Sequence, residues 1–487
     1  MHLGALAGPQ SGLTGEAASA EITGLSADSR EIAPGYLFAA LPGTLTDGAR
    51  FIPSAVANGA AALLLPEGCS AERPQDIPII EDPNPRRRLA LMAARFFGAQ
   101  PEVAVAVTGT NGKTSVATFV RQIWQGLGHR AASLGTLGVA SGTACQPLPH
   151  TTPEPVALHR LLAELARDGV THVALEASSH GLQQHRVDGV GLNAAAFTNI
   201  SRDHLDYHDD FDAYLAQKLR LFRELLPDGA PVVIDADAEG GAAVHEIARE
   251  RCLRLLSVGR LGETLALVDV RRQGFSQQLT VRHGDDRHEI RLPLVGGFQS
   301  SNALVAAALC MGCRASADEV LPLLERLEGA TGRLELAGVT GQNAHVFIDY
   351  SHTPDALANA LAALRPYAEN RLIVVFGCGG DRDPGKRPEM GAAARDGADL
   401  VYVTDDNPRS EDPAAIRAAA MAAVPGGIDV ADRREAIGAA IDALGPGDVL
   451  LVAGKGHETG QTIGDRVVPF SDHEVVREAL AAETADV

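Results

Sequence analysis

The sequence predicts an α/β fold of three domains. These are a small N-terminal α/β domain over residues 1–98, a central doubly wound sheet with a P-loop over 99–330, and a C-terminal Rossmann-like domain over 331–487. Three observations carry this reading. Short apolar strands alternate with helical patterns along most of the chain, which is how largely parallel sheets are written in sequence. At 487 residues the chain is too long for one ordinary core. Its 45% hydrophobic content with only 4% aromatic fits an Ala/Gly/Leu/Val-rich α/β protein rather than a disordered or fibrous one.

In the first domain, strands are expected over 36–41, 61–65 and 77–80 and a helix over 85–97, before a linker at Gly98-Ala-Gln-Pro101. In the second, strands over 172–176, 194–199 and 231–235 alternate with helices, and 275–283 and 288–294 alternate around Gly284-Asp-Asp286 as a hairpin added to that sheet. The last third repeats strand then polar loop at 346–350, 372–376, 400–404 and 449–453. Ligands of open parallel sheets sit beyond the carboxyl ends of the strands, so the four loops are expected on one rim.

The segment Val103-Ala-Val-Ala-Val-Thr-Gly-Thr-Asn-Gly-Lys-Thr114 carries the most chemistry. An apolar strand enters a Gly-rich turn and leaves as a helix, with Val116, Phe119, Val120, Ile123 and Leu127 at helical spacing. Backbone N–H groups freed by Gly109 and Gly112 can point at phosphate oxygens, Lys113 can reach the β/γ-phosphates, and the Thr114 hydroxyl can ligate Mg²⁺. The usual motif has a further glycine where this chain has Val107, so the match is to a shortened variant. ATP binding is preferred over a plain tight turn because both flanks have the right length.

Glu176 closes the apolar run Val173-Ala-Leu-Glu176, where a carboxylate can share Mg²⁺ with Thr114; a helix-start acid is the other reading. Thr198 to His208 packs two Asp and two His into a turn-rich stretch, with His204 a candidate metal ligand and Asp206 and His208 read as caps and surface contacts. In the next helix Phe211, Tyr214, Leu215 and Phe222 set an apolar stripe on which Lys218 falls. Such a lysine is paired, neutralised or modified, or it snorkels to the surface.

On the C-terminal rim, Asp406-Asn-Pro-Arg409 joins a carboxylate, an amide and a guanidinium within four residues. Arg409 can grip a carboxylate while Asp406 and Asn407 take an ammonium, although a turn with an N-cap reads the same way. With Arg382 and Glu458 on the same rim, recognition of a charged amino acid is preferred.

Composition sets the exclusions. A formal net charge of −20 without a Lys/Arg stripe opposes nucleic-acid binding. No apolar run approaches the roughly 18 residues of a membrane span, and the N-terminus lacks a basic n-region and an apolar h-region, so a cytoplasmic, monomeric protein is expected. The six cysteines, including Cys310-Met-Gly-Cys313, read as ordinary buried thiols.

Six motifs in order resemble the Mur ligases, ATP-dependent enzymes that add amino acids to the UDP-N-acetylmuramoyl precursor of peptidoglycan. They are Thr108-Gly-Thr-Asn-Gly-Lys-Thr114, Thr151-Thr-Pro153, Glu176-Ala-Ser-Ser-His-Gly181, Asn199 to His208, Gly377-Cys-Gly-Gly-Asp-Arg382 and Asp406-Asn-Pro-Arg409. The resemblance is strongest to the branch that adds meso-diaminopimelate to UDP-N-acetylmuramoyl-L-alanyl-D-glutamate. It implies ATP contacts at Gly109, Thr110, Asn111, Gly112, Lys113, Thr114 and Ser115, with Asn302 and Arg333 also on nucleotide. It further implies Ala27 and Ser29, in the Asp28-Ser29-Arg30 neighbourhood, on the UDP end, and Thr151, Thr152, Ser178, Gln184 and Arg186 on the muramoyl-dipeptide. Arg382, Asp406, Asn407, Pro408, Arg409, Gly454 and Glu458 would bind diaminopimelate, whose extra carboxylate, relative to lysine, suits Arg409. Lys218 would be a carbamylated lysine helping Thr114, Glu176 and His204 to hold Mg²⁺, and closure of the C-terminal domain would assemble the site. This chain departs from the family at Thr44-Leu45-Thr46, where relatives show a His-Gln-Ala-like loop, and at His150, which replaces Asn. Lysine-adding, D-alanyl-D-alanine-adding and folylpolyglutamate ligases are the alternatives, and a nucleotide-dependent switch is the alternative outside the enzyme class.

Overall fold

A computed structural model describes residues 1–8, 12–43, 47–70, 74, 76–142, 144–201, 208 and 210–485. Compactness divides the chain into two units, Met1–Ala266 with Leu304–Val320, and Leu267–Ala303 with Leu321–Val487.

The first unit holds two sheets. Its N-terminal sheet runs β1 (Gly24–Ser26), β2 (Tyr36–Ala39), β3 (Ala62–Pro66) and β4 (Ile79–Asp82) in sequence order, with every pairing parallel. Both faces are covered. Leu37, Leu64 and Ile80 pack with Leu89 and Met92 of helix Pro85–Phe97, while Phe38 and Leu63 pack with Ile52 and Ala55. That helix has the expected bounds, because Asn84 caps its first turn by accepting from the Arg87 N–H at 3.0 Å and Gly98 ends it at φ +72.

The second sheet comprises β5 (Val103–Thr108), β6 (Ala131–Gly135), β7 (Gly138–Ser141), β8 (Ala144–Gln146), β9 (His172–Glu176), β10 (Ala194–Phe197), β11 (Pro231–Asp235) and β12 (Arg254–Gly259). Their spatial order is β12-β11-β10-β5-β9-β6-β7-β8, parallel from β12 through β6 and antiparallel in the β6-β7-β8 meander. β5 lies between β10 and β9, so the loop after it opens beside the carboxyl ends of both. β5, β9 and β10 read as continuous apolar runs because both sheet faces are buried.

The division between units falls within β13 (Leu265–Gln273) and within helix Gly297–Gly312. In the second unit, β14 (Ser276–His283) and β15 (Asp286–Leu292) form the expected hairpin. A further sheet runs β16 (Glu335–Val339), β17 (His345–Asp349), β21 (Val449–Ala453), β18 (Leu372–Cys378), β19 (Leu400–Asp405) and β20 (Ile428–Asp429), parallel except for β16. Apolar clusters cover both of its faces. β22 (Gly460–Ile463) and β23 (Arg466–Pro469) form a small hairpin of their own. No helix among the described residues is long and apolar enough to cross a membrane.

Two readings need correction. Phe211 does not extend the buried stripe of helix Phe211–Arg220: it is exposed in the first turn, and Tyr214, Lys218 and Leu219 form the buried face. Cys145 and Cys252 are exposed rather than buried, one in a strand of the edge meander and the other in a turn at φ +51. None of the six cysteines is in a disulfide among the described residues.

Candidate active site

The phosphate loop is set by two glycines. Gly109 adopts φ +148 so close to β10 that a Cβ would stand 1.9 Å from Thr198 Oγ1. Gly112 at φ +86 turns the chain into helix Lys113–Gly126. The segment after β10 holds the loop: the Thr110 N–H donates to Asn199 O at 2.9 Å, the Asn111 N–H to Asn199 Oδ1 at 2.9 Å, and Thr198 Oγ1 to Asn111 O at 2.5 Å. Lys113 folds back, its Nζ donating to Gly109 O at 2.9 Å and Thr110 O at 2.8 Å. Thr114 and Ser115 are buried in the first helical turn.

Glu176, 2% exposed at the end of β9, meets Thr114, whose Oγ1 donates to its Oε2 at 3.0 Å. Thr136 completes the grip with an N–H to Oε1 at 2.8 Å and a hydroxyl to Oε2 at 3.2 Å. The helix-start reading of Glu176 therefore yields to the strand-end one. Gly135 makes room for the carboxylate, since a Cβ there would stand 2.0 Å from Oε1. Neither Gly135 nor Thr136 was singled out from sequence, because Glu176 lies 40 residues beyond Thr136 and no local pattern joins them.

Lys218, 1% exposed, sends Nζ to Gly109 O at 2.8 Å and lies 4.4 Å from the centre of the Tyr214 ring, while Tyr214 Oη shares a 3.0 Å hydrogen bond with Thr110 Oγ1. The snorkelling reading is excluded. Thr114 and Glu176 offer hard oxygens of the kind Mg²⁺ prefers, and a carbamate on Lys218 would add oxygens where the amine now presents N–H. These donors fit the ion. His204 lies outside the described residues, as do residues 44–46; among the described residues no group of three or more His, Cys, Asp or Glu is arranged to hold a metal ion. His208 is buried rather than on the surface, its Nε2 3.0 Å from Ser179 Oγ and its ring against Tyr214.

The residues expected on the muramoyl-dipeptide form a chain beside Glu176. Thr152 Oγ1 donates to Glu176 O at 2.8 Å and lies 3.0 Å from Ser178 Oγ; Thr151 Oγ1 lies 3.0 Å from Thr136 Oγ1. Arg186 Nη1 donates to Thr152 O at 2.7 Å and Nη2 to Gln184 Oε1 at 2.7 Å. Glu176 thus touches the phosphate loop with its carboxylate and this chain with its carbonyl. Ala27 and Ser29 follow β1 in the N-terminal sheet, where Ser29 is buried and its carbonyl accepts from Asn58 Nδ2 at 2.9 Å.

In the second unit the loops after β18, β19 and β21 meet. Arg409, at φ +52, donates from Nη1 to Gly380 O at 2.6 Å, and the Gly380 N–H donates to Asn407 O at 2.9 Å. Asn407 is used on both sides: Nδ2 donates to Glu458 Oε2 at 2.9 Å, while Oδ1 accepts from Lys455 Nζ at 3.1 Å and from the Thr462 N–H at 2.9 Å. Lys455, wholly buried, also reaches Glu458 at 2.9 Å. It escaped the sequence reading, and the turn that carries it is set by Gly454 at φ +119 and Gly456 at φ +53. Asp406 Oδ2 lies against Gly454, Pro408 O against Gly380, and the exposed Arg382 reaches Asp381 O at 3.3 Å. Asn302 donates to Gln299 at 3.1 Å, and Gln299 to Arg333 O at 3.3 Å. The Arg333 guanidinium lies 4.6 Å from the Tyr350 ring centre. Burial raises the Asp349 carboxyl, and burial, then Arg333, lowers His457 to about 4.

The phosphate loop after β5, with Thr114 and Glu176 together beside it, marks a nucleotide-using enzyme of the P-loop class. Residues 107–310 match the Mur ligase middle domain, 332–456 the Mur ligase glutamate ligase domain, and 21–97 the Mur ligase family catalytic domain. Over 492 residues and the full length of both chains, the protein is 54% identical to the UDP-N-acetylmuramoyl-L-alanyl-D-glutamate--2,6-diaminopimelate ligase of Bradyrhizobium diazoefficiens. It is 50% identical to the ligase of that name from Caulobacter vibrioides over 95% of each chain. A solved structure bearing the same name superposes with a TM-score of 0.71 at 32% identity, covering 95% of each chain. The fold extends to the MurF ligase of Thermotoga maritima, solved in complex with ADP, with a TM-score of 0.61 at 18% identity over 96% of this chain and 98% of that one. The chain belongs to the Mur ligase family.

Proposed function

We propose that the protein is an ADP-forming ligase that joins meso-diaminopimelate to the D-glutamyl γ-carboxylate of UDP-N-acetylmuramoyl-L-alanyl-D-glutamate, a step of peptidoglycan precursor synthesis. The observation that carries this is Glu176, which links the phosphate loop, through Thr114, to the Thr152-Ser178-Arg186 chain expected on the acceptor.

A free carboxylate is a poor electrophile, so the reaction needs activation. The γ-carboxylate oxygen attacks the γ-phosphorus of ATP, the bond to the β,γ-bridging oxygen breaks, and ADP leaves an acyl phosphate. The amine of diaminopimelate then attacks the acyl carbon; phosphate departs and the nitrogen loses a proton. The loop N–H groups and Lys113 stabilise the transferring phosphoryl group, Arg186 and Thr152 orient the acceptor, and Arg409 with Asp406 and Glu458 binds the amino acid. Mg²⁺ held by Thr114, Glu176, His204 and carbamylated Lys218 would supply charge neutralisation at the phosphates. Asn302 and Arg333 add nucleotide contacts, and Ala27 and Ser29 hold the uridine end. The enzyme works as a cytoplasmic monomer on soluble substrates.

Phosphate release from ATP with the UDP-linked dipeptide and meso-diaminopimelate, L-lysine or no amino acid tests the reading. Release with diaminopimelate alone is expected. Release with lysine instead would retain the ligase and refute the role given to Arg409; none with either would refute the ligase.

A further inference from the structure

Arg433 opens helix Arg433–Asp442 and Asp472 opens helix Asp472–Ala485; both are wholly buried. The arginine Nε donates to Oδ1 and Nη2 to Oδ2, each at 2.8 Å. Nη2 also donates to Ala453 O at 3.0 Å, the last carbonyl of β21, while the buried Nη1 has no acceptor among the described residues. A buried ion pair is weak grounds for stability, since apolar replacements often do as well, and an orphaned buried donor is a further cost. Stability alone therefore accounts poorly for an arginine here.

Its surroundings suggest another role. A Cβ on Gly454 would stand 2.8 Å from Asp406 Oδ2 and 3.9 Å from Arg433 Nη2, so the carboxylate and the guanidinium border the same glycine. After Asp472, the anions that act on the guanidinium are Asp406 and Glu458. Both stand on the rim assigned to the amino acid.

We propose that Arg433 is a positioning residue for the amino-acid subsite: clamped by Asp472, it holds the Ala453-Gly454 turn against Asp406 and so sets the place of Gly454 and of the rim carboxylates beside it. The inference rests on the ligase reading above. Its test is steady-state phosphate release by the full-length protein, each substrate varied in turn, for the wild type, Arg433→Lys and Asp472→Asn. Arg433→Lys keeps the charge and loses the fork. It is expected to raise KM for meso-diaminopimelate about tenfold in a folded protein, with KM for ATP and for the UDP-linked dipeptide within about twofold. Asp472→Asn, which leaves the guanidinium in place without its clamp, should follow the same pattern more weakly. A folded Arg433→Lys protein with unchanged KM for diaminopimelate, or with all three KM values raised together, overturns the proposal. If Arg433→Lys does not fold, Asp472→Asn decides by the same criteria; if neither folds, the pair is structural and the proposal fails. A wild type without diaminopimelate-dependent release refutes the ligase reading instead.

Discussion

Gly135 offers a direct test of how Glu176 acts. Its φ is not in the left-handed region, so alanine fits the backbone, yet the new Cβ would meet Glu176 Oε1 at 2.0 Å. The carboxylate must rotate away from Thr114 and Thr136. Gly135→Ala is therefore expected to fold, to lower kcat by about 10²-fold, the size of effect seen when one preorganised charge-stabilising group is lost, and to raise the Mg²⁺ concentration needed for half-maximal rate. A Mg²⁺ dependence identical to wild type would detach Glu176 from the metal. Lys218 is the second test at this scale. The amine donates to Gly109 O, a bond that the remaining N–H of a carbamate could keep, while the added oxygens would need donors or a metal ion. With ¹³C-bicarbonate, a carbamate resonance is expected in the wild type and not in Lys218→Arg; its absence from both would leave Lys218 as a cationic brace of the loop.

At the scale of elements, the hairpin β22–β23 is one part that sequence did not reveal. Ile463, Val467 and Val468 are exposed, so no buried face imposes the alternation by which strands are read, and the segment looks like loop. The structure gives it a use: the Thr462 N–H holds Asn407 Oδ1, Gln461 Nε2 donates to Asp406 O at 2.7 Å, and the Arg409 N–H and the Gly464 N–H pair with Thr462 O and Arg409 O at 3.0 and 2.7 Å. Replacing 461–468 by a short turn is expected to raise KM for the amino acid about tenfold, the worth of one or two hydrogen bonds, with KM for ATP unchanged. Equal effects on both would make the hairpin a general stabiliser. By contrast β5, β9, β11 and β21 were legible because strands buried on both faces are unbroken apolar runs, and the phosphate loop because its glycines and lysine are contiguous. Lys455 and Arg433 were not, since Asn407 is 48 residues from the first and Asp472 39 from the second, and local pattern says nothing about partners at that range.

For the whole molecule, the two units share an acid weakness. In the first, the His172 ring stacks on His129 at 4.0 Å and meets Trp124 at 4.9 Å; burial, then His129, lowers it to about 4. Burial also lowers His159. In the second, His457 is lowered to about 4, and burial also lowers His345. An unfolded histidine titrates near 6.5, so between about pH 6.5 and 4 the unfolded chain binds more protons than the folded one, and stability falls as pH falls. His473 works the other way: its bond to Glu335 raises it, adding stability below pH 6.5 that is lost as pH rises through its folded value. The second unit is thus partly compensated, and the first is expected to lose stability more steeply on acidification. Calorimetry at pH 7.5, 6.0 and 5.0 should show the transition of the first unit moving down further than that of the second. His172→Phe, which keeps a ring on Trp124 and cannot be protonated, should flatten that movement. If the variant's first-unit transition falls with pH as steeply as the wild type's, protonation of His172 is not what weakens the unit, and the acid sensitivity belongs to carboxylates such as Asp188, held low by His185 and Arg220 against the opposing effect of burial, which should release their stability only at lower pH.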